Sequence, residues 1–401
     1  MKALFIVLDG LGDRPIAEFN FLTPLQYAHT PNIDKLASNS ICGQLHSLGA
    51  GRRPSSDVAH MSMFGVDPQK YYTGRGPIEL YGLGYKMEPG DIALRGNFAL
   101  MNSEGIIIDR RAGRNLPSQK VLDELKEIEI DKVTFRLCSN ICHSFSLHLS
   151  GDNLSSAVSN QDPHIEGVRA DIVKPLNAQI ESKQTAVVIN KYIKCVNEIL
   201  NEKYNTGLSM TNCILLRSPG SKPCWFNFNE KYGFKNSCCI ANSALENGVG
   251  ALLGMKKINQ KNYQYFNEYY DIIPETVIKC LIENDFVFLH IQEPDLYGED
   301  GDHYGKMEII ERIDNTLSFL GEIDFENTLV VLTADHSTPC ELKAHSGDSV
   351  PIAFCGKGVR KDKVKYFNEI DCASGGLGTI IGSDIMPIIL NLIGTAALIG
   401  G

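Results

Sequence analysis

The sequence predicts an α/β protein built on a mostly parallel sheet flanked by helices. Three short apolar segments carry this prediction, namely residues 3–8, 286–290 and 328–333. An acidic residue comes after the end of each segment. Continuous apolar runs of this length are typical of strands buried on both faces of a parallel sheet. Helix-like stretches precede the second and third segments, and such alternation favours the α/β class. Ligands bind these sheets beyond the carboxyl ends of the strands, so the acidic tips are expected to form one site.

The composition indicates a folded protein that acts on small molecules. Of its 401 residues, 43% are hydrophobic and 21% are charged, which is ordinary for a globular protein. The formal net charge of -10 argues against a nucleic-acid partner, because such binding needs a basic surface. Only six apolar residues in a row precede Asp9, too few for a signal peptide or a membrane span. We therefore expect a cytoplasmic protein without a membrane partner.

The chain length favours one large domain that carries a smaller one. Residues 91–153 contain three strand-like segments around one helix-like segment, 118–128, and are predicted to form a small inserted α+β subdomain. Residues 1–90 and 154–401 then form the core domain. The lysine- and asparagine-rich stretch 256–270 is expected to be a solvated connection, and 385–398 a buried C-terminal helix.

The twelve cysteines are scattered without CxxC pairs, and Cys238-Cys239 lies in an apolar run. Reduced, mostly buried thiols are expected rather than disulfides.

Metal binding is the first chemistry that the residues indicate. Asp335 and His336 follow a predicted buried strand, and His345 comes nine residues after His336. Carboxylate and imidazole together suit Zn, Mn and other divalent metals. A histidine at a strand end is more often a hydrogen-bonded structural residue. However, Asp9 and Asp295 are predicted at the same sheet edge, where clustered carboxylates are costly without a cation.

Ser56 is the candidate nucleophile. It lies where a loop is predicted to enter a helix, so a helix cap is the plain alternative. A hydroxyl there can be activated by a metal, while the helix N-terminus helps to hold a phosphate.

Arginines in glycine-containing loops form the candidate anion site. Glycine lets the backbone approach a ligand, and guanidinium groups fork onto phosphate or carboxylate oxygens. Each arginine could instead be a surface charge. However, three of them lie within one stretch of five residues, although the protein as a whole is acidic. The set is Arg75, Arg110, Arg111, Arg114 and Arg217.

An ordered set of motifs along nearly the whole chain resembles the archaeal-type cofactor-independent phosphoglycerate mutases of the alkaline phosphatase superfamily. The motifs are LDGLGDRP at 8–15, TPL at 23–25, TPN at 30–32, Ser56-Asp57, Ala59-His60, YTGRGP at 72–77, DRRAGR at 109–114, DPH at 162–164, TADHSTPC at 333–340 and GGLG at 375–378. The resemblance implies an alkaline-phosphatase-like fold in which the inserted subdomain caps the substrate.

The resemblance also implies a two-metal site. Mn²⁺ is the expected ion, with Mg²⁺, Co²⁺ or Zn²⁺ as alternatives. One ion would be held by Asp9, Ser56, Asp335 and His336, and the other by Asp295, Glu299 and His345. Ser56 would take the phosphoryl group from a phosphoglycerate and return it to the other hydroxyl, which interconverts 3-phosphoglycerate and 2-phosphoglycerate. The implied contacts to this small phosphorylated carboxylate are His60, Arg75, Asp109, Arg110, Arg111, Arg114, His164 and Arg217.

Several positions depart from the family pattern. Glu299 stands where the family has a histidine ligand, and His303 is an alternative ligand at a different spacing. Basic residues of the family are replaced by Ser144, Asn247 and Gln292, and the glycine before the nucleophile is Ser55, a second candidate serine.

These departures leave three hypotheses open. The first is a mutase with a remodelled second metal site. The second is a diverged phosphotransferase or phosphohydrolase that acts on another small phosphorylated or phosphonate metabolite. The third is an inactive paralogue that binds a metabolite. A homo-oligomer is compatible with each of them.

Overall fold

The computed structural model describes residues 1–139, 143–207, 209–258 and 266–400. By the density of internal contacts, the chain divides into two compact units. The larger unit contains Met1–Lys70, Trp225–Asn242 and Val249–Gly401, and the smaller unit contains Tyr71–Cys224 and Ser243–Gly248. Within the described ranges, no helix is both long and apolar enough to cross a membrane.

The strands of the described residues are, in chain order, β1 Lys2–Leu8, β2 Ile41–His46, β3 Ile92–Met101, β4 Ile107–Asp109, β5 Glu127–Ile130, β6 Val133–Ser139, β7 Ser144–Ser150, β8 Cys213–Ser221, β9 Ser237–Ile240, β10 Lys256–Lys257, β11 Phe286–Ile291, β12 Thr328–Thr333, β13 Val350–Cys355 and β14 Gly378–Ile381.

The α-helices of the same residues are α1 Pro24–Tyr27, α2 Pro31–Ala37, α3 Ser56–Met63, α4 Pro68–Tyr71, α5 Arg75–Gly82, α6 Gln119–Leu125, α7 Ile180–Asn205, α8 Phe228–Tyr232, α9 Ala244–Leu252, α10 Phe266–Glu283, α11 Glu293–Asp300, α12 His303–Thr316 and α13 Ile385–Leu392.

The larger unit is organised around a mostly parallel sheet with the strand order β10-β9-β11-β1-β12-β13-β2-β14. Only β13 runs antiparallel to its neighbours, β12 and β2. Each apolar residue from Ala3 to Leu8 is fully buried, as a strand covered on both faces requires. The predicted α/β class and the three predicted strands are confirmed. In register, Leu8 lies opposite Ile291 and Val7 opposite Thr333, so β1, β11 and β12 end at one edge.

The smaller unit contains an antiparallel sheet with the order β4-β3-β7-β6-β5, and β8 pairs with the other side of β3. One face of this sheet packs on α7, where Tyr192 stacks on Phe135 with ring centroids 4.3 Å apart. The unit is wider than the predicted subdomain 91–153, because β8 and α7 complete its sheet and core.

Three local predictions are wrong. The helix predicted at 118–128 ends at Leu125, and Glu127–Ile130 is the strand β5 paired with β6. The alternating sequence EIEI suits a strand, and Asp131 and Lys132 have positive φ values of 51° and 65°, which form the hairpin turn. The C-terminal helix ends at Leu392, before Gly394 with a φ of 80°.

The third error concerns the connection predicted at 256–270. Its first two residues form β10 and Phe266 begins α10, whereas 259–265 lie outside the described residues.

The eleven cysteines within the described residues are all free thiols. Nine of them are buried, and only Cys224 is exposed. This confirms the prediction of reduced, mostly buried thiols for that part of the chain.

Candidate metal centre and anion site

The first group of candidate metal ligands lies at the carboxyl ends of β1 and β12. Asp9 follows β1, and Asp335 and His336 follow β12. His336 Nε2 lies 3.1 Å from Asp335 Oδ2 and 3.4 Å from Asp9 Oδ1. All three side chains are buried, and one ligand atom of each lies within 4.8 Å of the others. The structure therefore brings together three of the four residues predicted to hold the first metal ion.

A second group consists of Asp295, His336 and His345. Asp295 is in α11, directly after β11, and its Oδ1 lies 3.5 Å from His345 Nε2. The rings of His336 and His345 stack with centroids 3.6 Å apart. His345 Nδ1 is 2.9 Å from the carbonyl of Pro54, to which it donates, so Nε2 carries the lone pair on the side of Asp295. Of the three ligands predicted for the second site, the structure brings Asp295 and His345 together, and Glu299 is absent from the group.

The donor set of these two groups fits divalent cations. Three buried carboxylates converge with two imidazoles, and oxygen and nitrogen donors of this kind suit Mn²⁺ or Zn²⁺. Asp335 Oδ2 and Asp9 Oδ1 are both buried, and both lie against the same atom, His336 Nε2. Two buried carboxylate oxygens that share one imidazole nitrogen are costly unless a cation lies against them.

The electrostatics of the first group favour an ionised carboxylate. Burial by itself raises the pKa of Asp335, but the charge of His336 and the hydrogen bond with it outweigh burial and hold that pKa well below its usual value. Burial lowers the pKa of His336, and the attraction of Asp335 more than reverses this shift. The pKa of His345 is lowered, first by burial and then by the neighbouring His336. Neutral imidazole is the form that binds a metal.

Ser56 joins the first group from α3. It is the first residue of that helix and is buried, and its Oγ lies 3.2 Å from His336 Nε2. Ser55 precedes the helix, and its hydroxyl donates to the carboxylate of Asp57 instead. Of the two candidate serines, Ser56 is therefore the one whose hydroxyl lies among the metal-ligating side chains.

Glu299 and His303 have other surroundings. Glu299 is half-buried in α11, one turn after Asp295, and does not belong to either group of candidate ligands among the described residues. His303 begins α12 and packs edge-on against Phe19, with ring centroids 5.2 Å apart. The alternative of His303 as a metal ligand has no support from this position.

His60 does not have the exposure that a substrate contact needs. Its side chain is fully buried, and Nδ1 donates to the carbonyl of Ser56 over 2.7 Å. Because His60 lies one helical turn after Ser56, its imidazole holds the first turn of α3 in place. The structure gives Nδ1 this structural hydrogen bond, and the substrate contact of His60 stays a prediction.

Two residues near the metal ligands were missed from the sequence. His290 is fully buried in β11, and its Nε2 lies 3.4 Å from Asp9 Oδ2. Lys306 is a fully buried lysine in α12 whose Nζ donates to three oxygens, in Gly12, Asp13 and Thr338. A signal for Lys306 exists, because it precedes the buried Ile309 and Ile310 by three and four positions and so shares their helix face.

Close backbone approaches fix the second group. Thr338 Oγ1 donates to Asp295 Oδ1 over 2.6 Å and lies 3.1 Å from His336 Nδ1. A Cβ added at Gly298 would lie 2.4 Å from the carbonyl oxygen of Thr338, and one added at Gly10, whose φ is 60°, would lie 2.6 Å from Asp295 Oδ1. Both positions therefore require glycine for the segments to come this close.

The smaller unit contains the predicted arginines, two of which bind one buried carboxylate. Arg110 donates from Nε to Asp162 Oδ1 over 3.0 Å and from Nη2 to Asp162 Oδ2 over 2.7 Å. Arg217 donates from Nη1 to the same Oδ2 over 2.5 Å, and the backbone N-H of His164 donates to Oδ1. Burial raises the pKa of Asp162, but the bond from Arg110 and the charge of Arg217 outweigh burial and lower that pKa to about 2.

A second buried carboxylate, Glu79, also binds two arginines. Its Oε1 accepts from Arg75 Nε over 2.7 Å and lies 3.3 Å from Arg95 Nη1. Arg75 and Glu79 are one turn apart in α5, whereas Arg95 is in β3, directly opposite Arg217 of β8. Sequence analysis missed Glu79 and Arg95, because their proximity depends on how α5 packs on the sheet.

The two histidines beside the arginines are held neutral. The pKa of His143 is lowered to about 4 by burial and then by four arginines, namely Arg95, Arg111, Arg217 and Arg114. The pKa of His164 is also lowered, mainly by burial, although Asp162 opposes the shift. Because all four arginines lower the pKa of His143, Arg111 and Arg114 lie near the same histidine as Arg95 and Arg217.

Asp109 braces a loop. Its carboxylate accepts the backbone N-H groups of Arg111 over 2.7 Å and Gly113 over 2.6 Å. Each carboxylate oxygen accepts one of these bonds, so Asp109 supports the arginine-bearing loop, and its contact with substrate stays a prediction.

The fold and the two groups of ligands define a metal-binding α/β enzyme, and comparison with known proteins agrees with this class. A family model described as the Metalloenzyme superfamily matches residues 1–392. Together with the candidate ligand groups, this match indicates that the chain binds divalent metal.

Relatives cover the whole chain. A protein of Methanocaldococcus jannaschii named 2,3-bisphosphoglycerate-independent phosphoglycerate mutase 1 is 39% identical, covering 98% of this chain and 97% of its own length. A mutase of the same kind from Thermoplasma volcanium is 40% identical, covering 99% and 98%. The chain belongs to the 2,3-bisphosphoglycerate-independent phosphoglycerate mutase family, as the sequence motifs predicted.

Solved structures agree. A protein from Pyrococcus horikoshii is similar with a TM-score of 0.83 at 32% identity, covering 100% of this chain and 99% of its own. A cofactor-independent phosphoglycerate mutase from Thermoplasma acidophilum is similar with a TM-score of 0.67 at 34% identity, covering 98% and 100%.

Proposed function

We propose that this protein interconverts 3-phosphoglycerate and 2-phosphoglycerate through a phosphoserine at Ser56. The observation that carries the proposal is the position of the Ser56 hydroxyl, 3.2 Å from His336 Nε2, the same nitrogen that two buried carboxylates, Asp9 and Asp335, contact. The whole-length relatives named as mutases support this activity over a diverged phosphotransferase or phosphohydrolase, and over an inactive paralogue. The corresponding role is glycolytic and cytoplasmic.

The proposed reaction is two phosphoryl transfers. In the first, Ser56 Oγ forms a bond to the phosphorus of 3-phosphoglycerate while the bond from phosphorus to the substrate oxygen breaks. Ser56 Oγ gives up its proton and the released substrate oxygen takes up one proton to become a hydroxyl, so the protons balance. In the second, the oxygen of the other glycerate hydroxyl bonds to phosphorus and gives up its proton, while the bond from phosphorus to Ser56 Oγ breaks and Ser56 Oγ takes up one proton. The net result moves the phosphoryl group between carbons 3 and 2 without loss of atoms.

The chain's own residues bind and orient the reacting groups. Ser56 is held by α3, where His60 fixes the carbonyl of the nucleophile, and the N-terminal N-H groups of the helix favour a phosphate. We propose that Asp9, Ser56, Asp335 and His336 hold one Mn²⁺, and that Asp295 and His345 hold a second. When bound, such ions lower the pKa of a serine hydroxyl and neutralise phosphoryl oxygens.

The arginines are proposed to bind the anionic groups of the substrate. Arg75, Arg110 and Arg217 each present a guanidinium held in a fixed direction by a buried carboxylate. A guanidinium matches both carboxylate and phosphate in a two-bond geometry. Glu299 is also proposed as a ligand of the second ion. It lies one turn after Asp295 in α11, and its side chain would have to rotate to reach that ion.

The test is a mutase assay of the purified full-length chain. Formation of 2-phosphoglycerate from 3-phosphoglycerate is followed with Mn²⁺, Mg²⁺, Co²⁺ or Zn²⁺ added. We expect activity with at least one metal, loss of about 10³-fold or more in Ser56→Ala, and little change in the neighbouring control Ser55→Ala. Absence of product with every metal would reject the proposal, and so would an active Ser56→Ala variant.

A further inference from the structure

Two buried carboxylates in the smaller unit have no part in the phosphoryl transfers described above. Asp162 is 2% exposed and Glu79 is 3% exposed. Burying a carboxylate is costly, and placing one where an anionic substrate is to bind also opposes that binding. Their presence therefore needs a reason other than charge.

The geometry of Asp162 leaves its carboxylate fully engaged. Each oxygen accepts two N-H groups, Oδ1 from Arg110 and His164, and Oδ2 from Arg110 and Arg217. The two parallel bonds with Arg110 define the plane of that guanidinium, which a single bond would not do. A guanidinium has five N-H groups, and Asp162 takes two from Arg110 and one from Arg217.

Glu79 does the same for a second pair. One oxygen, Oε1, contacts both Arg75 and Arg95, which come from a helix and a strand. Arg95 lies opposite Arg217 in the pairing of β3 with β8, so the two pairs are adjacent. Burial raises the pKa of Glu79, and the charges of Arg95 and Arg75 outweigh burial and lower it. Four guanidiniums are thus packed around two carboxylates with a net positive charge.

We propose that Asp162 and Glu79 are positioning residues that fix the four guanidiniums of Arg75, Arg95, Arg110 and Arg217 in the directions needed to bind the substrate's anionic groups. Without them, the four positive charges would repel one another and the long side chains would spread. This inference rests on the proposed function for the identity of the substrate, but the claim that the carboxylates organise an anion site does not.

Charge and position predict opposite results when a carboxylate is made neutral. If the two carboxylates only reduce the positive charge, Asp162→Asn strengthens anion binding, because one negative charge is gone. If they position the arginines, the same change weakens anion binding although the site has become more positive. The sign of the effect therefore separates the two explanations.

The experiment uses the full-length, metal-loaded protein and the variants Asp162→Asn and Glu79→Gln. The matched control is Glu127→Gln, which removes an exposed carboxylate that pairs with Arg136 over 2.8 Å in the same unit. Binding of inorganic phosphate is measured by titration calorimetry, and kcat and KM are measured with 3-phosphoglycerate. Circular dichroism shows whether each variant folds, and Glu79→Asp tests rescue by a shorter carboxylate.

We expect Asp162→Asn and Glu79→Gln to weaken phosphate binding and raise KM by about 10- to 100-fold, with Glu127→Gln unchanged and partial recovery in Glu79→Asp. Unchanged or tighter phosphate binding in folded variants would overturn the inference, as would a wild-type protein that binds no phosphate. If Asp162→Asn does not fold, Glu79→Gln decides the outcome. A wild type that binds phosphate but lacks mutase activity would reject the proposed function alone, leaving the positioning role to be judged by the variants.

Discussion

Replacing the buried Lys306 by methionine should destabilise the larger unit strongly. Lys306 Nζ donates over 2.9 Å to Asp13 Oδ2, over 2.9 Å to the carbonyl of Thr338 and over 3.1 Å to the carbonyl of Gly12. Methionine fills a similar volume but leaves the Asp13 carboxylate buried without its cation. Breaking a buried ion pair on one side costs about 3–5 kcal/mol, a large part of the 5–15 kcal/mol that a folded protein commonly has.

The loss should fall when the remaining charge is also removed. Asp13 accepts the backbone N-H groups of Arg14 and Cys340 as well, and an asparagine oxygen can keep accepting at this position. We therefore expect the double variant Lys306→Met/Asp13→Asn to be more stable than the sum of the single losses predicts, by about 1–3 kcal/mol. The exposed lysine of the Lys357–Glu326 pair, 3.0 Å apart, supplies the control Lys357→Met, which should cost less than about 1 kcal/mol.

Urea unfolding followed by tryptophan fluorescence measures these effects. The chain has a single tryptophan, Trp225, and it belongs to the larger unit together with Lys306. The reasoning is refuted if Lys306→Met loses no more free energy of unfolding than Lys357→Met. It is also refuted if the losses of the two single variants add in the double variant, because then Lys306 and Asp13 are not coupled.

Three further predictions concern metal, charge geometry and pH. Removal of metal with a chelator should abolish mutase activity and lower the melting temperature, and Mn²⁺ should restore both; full activity in metal-free protein would contradict the assignment of the ligand groups. Arg110→Lys should raise KM by about tenfold, because an ammonium cannot make two parallel bonds to Asp162, whereas the exposed Arg136→Lys should leave KM unchanged. The native pKa of His143 is about 4, below the value of 6.5 for an unperturbed histidine, so the unfolded state binds more protons between these two pH values. The free energy of unfolding should therefore fall as the pH drops from 7 to 5, by about 1 kcal/mol after allowance for solvent screening. Unfolding measured at both pH values should show a smaller difference in His143→Gln, and an equal difference would argue against a lowered pKa.

The parallel sheet and half of the metal centre could be predicted because their signals are local. An apolar run that ends at a carboxylate identifies a strand tip, and parallel strands bring their carboxyl ends together. Asp9, Asp335 and His336 were therefore predicted from the ends of two short segments, and the structure brings them together. Ser56 and His345 were also candidates from the residues alone, and the family motifs then assigned them to the two metal sites.

The remaining features depend on packing that the sequence does not display. Glu79 and Arg95 meet because α5 lies on the strand β3, and no pattern around either residue indicates that contact. His60 is in the expected motif but faces inward, since its ring packs near Phe288 and His290. The first two residues of β5 were predicted as helix, because a strand of four residues is short for a periodic signal.

The glycines at positions 10 and 298 tie metal affinity to the completion of folding. Metal coordination tolerates deviations of about 0.2 Å, whereas a single methyl group at Gly298 would collide with the main chain of Thr338. The distances between ligands are thus set by close contacts between segments that are far apart in the chain, Gly10 with Asp295 and Gly298 with Thr338. A partly folded chain cannot supply those contacts. Metal binding is therefore a sensitive measure of whether the larger unit has folded completely.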